Sequence, residues 1–201
     1  MTFPHCFALG EGESARSVYQ VKQVHGRAVV VVAGDEPWWE VSRREADALV
    51  TRRSGVRIGV RTADCVPVLI EDAELGACAA AHAGWRGLVA GVVEATVAAL
   101  VELGARPAAM RAALGPSIGP CCFEVGPEVA AQFPGFVVVP PDGGKPRVDL
   151  HAAARAALTR AGVGAVDAAP VPCTKCDPRG YYSYRRDGKG VPLHLHYVGV
   201  P

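Results

Sequence analysis

Residues 66–84, VPVLIEDAELGACAAAHAG, constrain this chain more than any other stretch. Two apolar runs are separated by a short Glu-Leu-Gly turn, so the segment reads as a β-hairpin rather than a crossover. Further β-branched runs at 28–32, 48–51, 57–60 and 136–139 predict more short strands. Helical spacing of Leu88, Val92, Val93, Thr96, Leu100 and Leu103 predicts one helix after His82, stopped by Gly104 and Pro107. A second helix is expected over 150–161, with Asp149 as its N-cap and Gly162 just past its end, and a short third one from Pro127. Closely spaced strands with few helices suggest an α+β fold, helices packed on a mixed, largely antiparallel sheet. Regular strand–helix alternation of the kind that builds a doubly wound nucleotide fold is not seen. At 201 residues, half of them hydrophobic, the chain can bury its own core, and 1–201 is read as a single domain.

Composition narrows the function classes. Lys plus Arg is 21 and Asp plus Glu is 20, a balance that argues against a nucleic-acid binder with a broad basic face. No run of about 18 apolar residues is free of charge or Pro, which disfavours membrane insertion. The opening MTFPHCFALGEGES lacks the basic-then-apolar order of an export signal. The seven cysteines are therefore expected to be reduced thiols of a cytoplasmic protein.

The hairpin's open end is where chemistry is expected. Cys65 precedes its first strand and His82 closes its second, 17 positions on. A thiol and an imidazole at one end of a sheet suit either a zinc site or a Cys–His nucleophile pair. Cysteine at a strand start is commonly a small core residue, but the adjacent Asp64 is costly there unless paired or exposed. Gly84, Trp85, Arg86 and Gly87 follow His82; small residues permit close approach, and Arg86 near a helix start favours an anion such as phosphate. Gln23, His25 and Gly26 resemble a site loop, and His25 with Cys65 and His82 would make three ligands with a fourth position open, the count of a catalytic zinc.

Other constellations are weaker. Cys173-x-x-Cys176 could join the adjacent Cys121 and Cys122 in a four-cysteine site, but adjacent cysteines are poor ligand spacing and a zinc ribbon needs two CxxC pairs. His194 and His196 share a strand face and could chelate copper, yet six histidines with one H-x-H do not supply a multi-copper set. The prolines of LGPSIGPCCFEVGPE remove donors from any phosphate nest, so this segment reads as a rigid pocket wall. SYRRDG reads as a charged β-turn at Asp187-Gly188 that offers one arginine to an anion.

In order along the chain, KQVHG, DALVT, TADCVPVLI, AAHAGWRG, GPSIGPCCFEVG and SYRRDG closely resemble the motifs of the YfiH-like laccase-domain family, from about Lys22 to Gly188. That family, first labelled multicopper polyphenol oxidase, is described as purine nucleoside phosphorylase with adenosine deaminase activity. The resemblance implies an α/β sandwich with helices on both sides of a β-layered core, related to cysteine hydrolases. It also implies zinc held by His25, Cys65 and His82, and substrates among adenosine, inosine, guanosine and methylthioadenosine, with phosphate. One bacterial branch is linked instead to editing of peptidoglycan precursors. Here RRDG is followed by Lys189-Gly190-Val191 where the family has a Gly-Arg pair, and the region before KQVHG is short.

On that reading, zinc positions phosphate or a water, Arg86, Arg185 and Arg61 are the candidates to hold the phosphate, and Asp64 is the candidate acid/base. Trp85 would be an apolar wall. Zinc deaminases carry Glu two residues after a ligating His, whereas Ala83 and Gly84 follow His82 here. The same His₂Cys set accepts copper. A metal-free Cys65–His82 amide hydrolase, a copper polyphenol oxidase and a non-catalytic precursor-binding protein remain as rival readings.

Overall fold

The structure is a computed structural model and describes residues 3–9, 17–141, 143–167, 169–177 and 179–201. Part of the amino-terminal stretch read for an export signal (1, 2 and 10–14) lies outside them.

The hairpin forms as expected. Strand β5 (Val66–Asp72) pairs antiparallel with β6 (Ala77–Ala83), from Val66 opposite Ala83 to Asp72 opposite Ala77. Asp72 shapes the turn, its Oδ1 accepting from the backbone N–H groups of Glu74 at 3.1 Å and Leu75 at 3.0 Å. Every residue of both strands is buried, because this hairpin is the middle of a three-layer molecule. Around it the main sheet runs β10 (Ala165–Val166), β7 (Arg111–Leu114), β5, β6, β3 (Ala48–Thr51), β2 (Val29–Val31). Its four inner strands are antiparallel, and the two outer strands join parallel to their neighbours, so the sheet is mixed.

Strand alternation sends the two faces to two cores. Ala48, Val50, Val68, Ile70, Ala79 and Ala81 face the long helices α3 (Val92–Glu102) and α5 (Leu150–Arg160). Leu49, Leu69, Cys78 and Ala80 face a second sheet, in which β11 (His194–Gly199) lies between β1 (His5–Leu9) and β4 (Arg57–Thr62). The long helices therefore cover one face of the main sheet only; a β-layer, not the expected helices, covers the other. The run of alanines in β6 follows from this sandwich, since small side chains let both layers approach.

After a short helix, α1 (Trp38–Val41), the single helix expected beyond His82 is two helices. The first, α2 (Trp85–Ala90), ends at Gly91, whose φ of 86° is left-handed and breaks the path before α3 starts. The α5 prediction holds: Asp149 Oδ1 accepts from the Ala152 N–H at 2.8 Å, and Gly162 (φ 81°) follows its end. A turn of helix α4 (Pro127–Ala130) does start at Pro127. SYRRDG is corrected: Tyr184–Asp187 form a short helix, α6, capped by the Ser183 hydroxyl, rather than a β-turn. Beyond the expected strands, β1, β7, β10, β11 and β9 (Arg147–Val148), partner of β8 (Val137–Val138), come from segments with little pattern of their own. Among the described residues, no helix is long and apolar enough to cross a membrane.

Candidate metal and catalytic centre

Three elements meet at the open end of the β5–β6 hairpin. Cys65 lies just before β5, His82 is the penultimate residue of β6, and His25 reaches over from the loop before β2. Their ligand atoms lie within 4.8 Å of one another, close enough to share one cation. The His25 and His82 rings meet edge-to-face with centroids 4.8 Å apart. His82 is buried, Cys65 half-buried and His25 exposed, so the cluster opens to solvent over the His25 ring.

The sequence reading missed the residue that builds this site. Asp47 immediately precedes β3, and pairing of β3 with β6 sets it beside His82. Its buried carboxylate receives the His82 Nδ1–H at 2.8 Å. The same carboxylate accepts the backbone N–H groups of Val24 at 3.3 Å, His25 at 2.9 Å and Gly26 at 2.6 Å. One side chain thus fixes the ring of one ligand and folds the loop carrying another, whose φ of 61° at His25 is held in place by those bonds. With Nδ1 committed to Asp47, the His82 Nε2 is left as the ligand atom, the carboxylate–histidine arrangement of metal centres. The sequence signal was available in DALVT, a carboxylate set directly before the apolar run Ala48-Leu49-Val50.

Glycine makes the approach possible. A Cβ at Gly84 would lie 2.9 Å from Cys65 Sγ and 3.1 Å from His25 Cδ2. At Gly87 it would lie 3.1 Å from the Gly26 carbonyl oxygen, so the GWRG turn is held tight against the His25 loop. Gln23 docks that loop on β4, accepting from the Arg61 N–H at 2.8 Å and donating to the Arg61 carbonyl at 2.8 Å.

Electrostatics follow the geometry. Burial would raise the Cys65 thiol, but charge attraction from His82 and hydrogen bonds from His25 and His82 bring it down to about 6. Burial would lower His82, but Cys65 and Asp47 push it up to about 9. Asp47 is opposed by its own burial, yet His82 and the Gly26 N–H hold it below the usual carboxylate range. The cluster therefore favours a thiolate at Cys65, the form that binds metal or attacks carbon.

The other expected site residues take different places. Asp64, buried with a left-handed φ of 93°, has both carboxylate oxygens engaged: Oδ1 by the Thr174 hydroxyl at 2.6 Å and Oδ2 by the Arg185 N–H at 2.6 Å. Its carbonyl also accepts from Ile118 N–H at 2.9 Å. Asp64, the candidate acid/base of the sequence, thus clamps the loops on either side of Cys65. Arg61 Nε donates to Gln20 at 2.6 Å. Arg185 lies over the Phe123 ring and donates to the Glu124 carbonyl at 2.8 Å. Arg86 is exposed, its guanidinium 4.4 Å from the centroid of the Trp85 ring. Of the three arginines it is the one on the turn that follows His82 directly.

His194 and His196 do share a face of β11, but His196 Nε2 bonds the Thr62 hydroxyl at 2.9 Å and His194 Nε2 accepts from the Tyr182 N–H at 2.8 Å. Two surface concavities flank α5, lined by residues such as His151, Arg155 and Phe136, and contain none of the cluster.

Comparison with known proteins agrees with the motif reading. The sequence profile of the family described as multi-copper polyphenol oxidoreductase laccase matches residues 7–195. A protein named purine nucleoside phosphorylase from Deinococcus radiodurans is 40% identical over 198 residues, covering 96% of this chain and 74% of that one. One named adenosine deaminase RL5, from an unknown prokaryotic organism, is 40% identical over 194 residues, covering 90% of this chain and 74% of its own length. Among solved structures, the Bacillus licheniformis hypothetical protein YfiH superposes with a TM-score of 0.82 at 25% identity, covering 92% of this chain and 75% of that chain. The chain belongs to the multi-copper polyphenol oxidoreductase laccase family, the YfiH-like laccase-domain proteins.

Proposed function

We propose that this protein is a metal-dependent purine nucleoside phosphorylase that also deaminates adenosine, with zinc held by His25, Cys65 and His82. The observation that carries the reading is the Asp47-organised cluster, three ligand atoms within 4.8 Å and a fixed His82 ring. The donor set fits the ion: one thiolate, two imidazoles, a second-layer carboxylate and a glycine where a side chain would fill the approach. Three protein ligands leave a position for a small molecule, and bound zinc would there act as a Lewis acid on a phosphate or water oxygen. Relatives named purine nucleoside phosphorylase and adenosine deaminase support both halves of the activity.

The chain's own residues set the rest. Arg86, exposed at the start of α2 and stacked on Trp85, holds the phosphate, while the Trp85 ring forms an apolar wall. Arg61 and Arg185 act through the loops they tie down. Asp64 positions Cys65 by fastening the loops on either side of it. Because Ala83 and Gly84 follow His82, proton delivery in deamination comes from a group outside the usual H-x-E pattern. The same ligands accept copper, but among the described residues this is the one histidine-containing metal group, short of a multi-copper set.

One observation favours a second reading. A Cys65 thiol near 6 beside a His82 near 9 is a thiolate–imidazolium pair, the resting state of a cysteine hydrolase, and amide-bearing wall precursors would be its substrates. The two separate cleanly on metal-quantified protein incubated with adenosine, with and without phosphate, and followed by chromatography. Adenine and ribose 1-phosphate formed only with phosphate are expected, with phosphate-independent inosine marking deamination; chelation stops both. Zinc-replete protein yielding neither product rejects the nucleoside reading, and amide hydrolysis that survives chelation establishes the hydrolase.

A further inference from the structure

Four of the seven cysteines converge on a second centre, away from His25, Cys65 and His82. Cys121 and Cys122 come from the loop after β7, and Cys173 and Cys176 from the loop before α6. All four Sγ atoms lie within 4.8 Å of one another, and Cys121 and Cys176 are 3.6 Å apart. All four are free thiols, and that separation is far beyond a disulfide bond of about 2.05 Å. It is close to the sulfur–sulfur edge, about 3.8 Å, of a tetrahedron with metal–sulfur bonds of about 2.3 Å.

The backbone is folded around the sulfurs. The N–H groups of Cys122 and Phe123 both reach the Gly119 carbonyl, at 2.9 and 3.0 Å, and this tight turn lets two adjacent cysteines face one point. That removes the spacing objection raised by the sequence alone. A Cβ at Gly119 would lie 3.2 Å from Cys121 Sγ and 3.3 Å from Cys173 Cβ, so glycine opens the space. The Gly119 N–H donates to Cys173 Sγ at 3.2 Å, and the N–H groups of Lys175 and Cys176 aim at the same sulfur. Three backbone donors on one sulfur suit a metal-bound thiolate, whose outer hydrogen bonds orient it. Arg186 donates to the Thr174 and Lys175 carbonyls at 3.3 and 3.2 Å and holds the C-x-x-C turn closed.

We infer that Cys121, Cys122, Cys173 and Cys176 bind one structural zinc ion. Four thiols exchange their protons for one Zn²⁺, and four protein ligands leave no position for substrate. The ion cross-links the two loops that grip Asp64. Ile118 lies in the first loop and Thr174 in the second, and both donate to Asp64, the residue before Cys65. The second centre thus braces the wall of the first.

Zinc per chain is the readout, measured on reduced, intact protein and on Cys65→Ala, which disables the three-ligand site alone. Cys65→Ala is expected to keep about one zinc per chain. Cobalt loaded into that variant should show thiolate charge-transfer bands with the intense visible absorption of tetrahedral cobalt. Cys173→Ser/Cys176→Ser should carry about one zinc fewer than the intact protein. Should the double variant not fold, blocking the thiols of folded Cys65→Ala with an organomercurial must release its remaining zinc to a metallochromic dye. Folded Cys65→Ala without zinc, with Cys121, Cys122, Cys173 and Cys176 all reacting freely, overturns the site; iron found in place of zinc overturns the ion.

Discussion

Two sulfur-bearing centres lie within one small chain, and they are built in opposite ways. The His25–Cys65–His82 cluster rests on the end of a buried hairpin, with a carboxylate beneath it that serves two ligands at once. The four-cysteine cluster rests on two loops, with Cys121 and Cys176 exposed and no carboxylate among its ligands. Two ligands at the end of a rigid hairpin and a third on a loop braced by Asp47 would leave room for a reacting molecule and hold it in register. On the reading proposed above, four ligands on loops close the coordination shell and fasten loop to loop. Ligand count and the stiffness of the support, more than the presence of cysteine, then separate a working centre from a brace.

That contrast breaks most readily at Gly84. Its φ of −71° suits any residue, so Gly84→Ala acts only through the new Cβ, 2.9 Å from Cys65 Sγ. We expect turnover to fall about 100-fold, the scale of a displacement of about 1 Å at a reacting centre, with the four-cysteine zinc retained. Steady-state assay paired with metal analysis checks it; unchanged turnover would show that the cluster is looser than drawn. Asp47→Asn should weaken metal binding at the three-ligand centre about 10- to 100-fold, read by competition with a chelator, and leave the second centre untouched.

A smaller effect separates the cysteines by pH. In metal-stripped protein the Cys65 thiol, lowered to about 6, is a thiolate above that pH, so its alkylation should rise through about pH 6 rather than near the ordinary 9.0. Its attraction to His82 weakens as pH climbs past about 9 and the imidazolium is lost. At neutral pH the gain in rate is only a few-fold, because a more acidic thiol is a poorer nucleophile. Cys78, buried on the same hairpin and pushed up to about 12 by burial and by Glu71, should stay inert throughout, as peptide mapping of the alkylated protein would show. Smallest is Asp149→Ala, which removes the α5 cap and no ligand of either centre: about 1 kcal/mol of stability lost in denaturant titration, with kcat/KM unchanged.

Local signals carried the parts of the molecule that are local. The hairpin, its turn at Glu74-Leu75-Gly76 and the cap at Asp149 each depend on residues within a few positions, and each is where the sequence places it. Cys65 and His82 were legible because a hairpin alone brings its own ends together. Asp47 was not, since its role exists only once β3 pairs with β6, a neighbour some thirty positions away. The four-cysteine cluster fared worse: its two pairs are separated by the whole segment that holds α4, β8, β9, α5 and β10, and the turn at Gly119 that reconciles adjacent cysteines leaves no periodic mark. Gly91 shows the limit from the other side, a single left-handed residue dividing an apolar pattern that runs unbroken past it. Asp64 stands out in the sequence for its cost, but its clamp is not legible there, because its partners Thr174 and Arg185 come from the far end of the chain.

Phosphorolysis at the three-ligand centre is tested by following phosphate-dependent release of adenine from adenosine by zinc-quantified protein, alongside Cys65→Ala of the same preparation. Adenine in proportion to phosphate is expected from the intact chain, and only background from Cys65→Ala. Equal adenine release from the two proteins would contradict it.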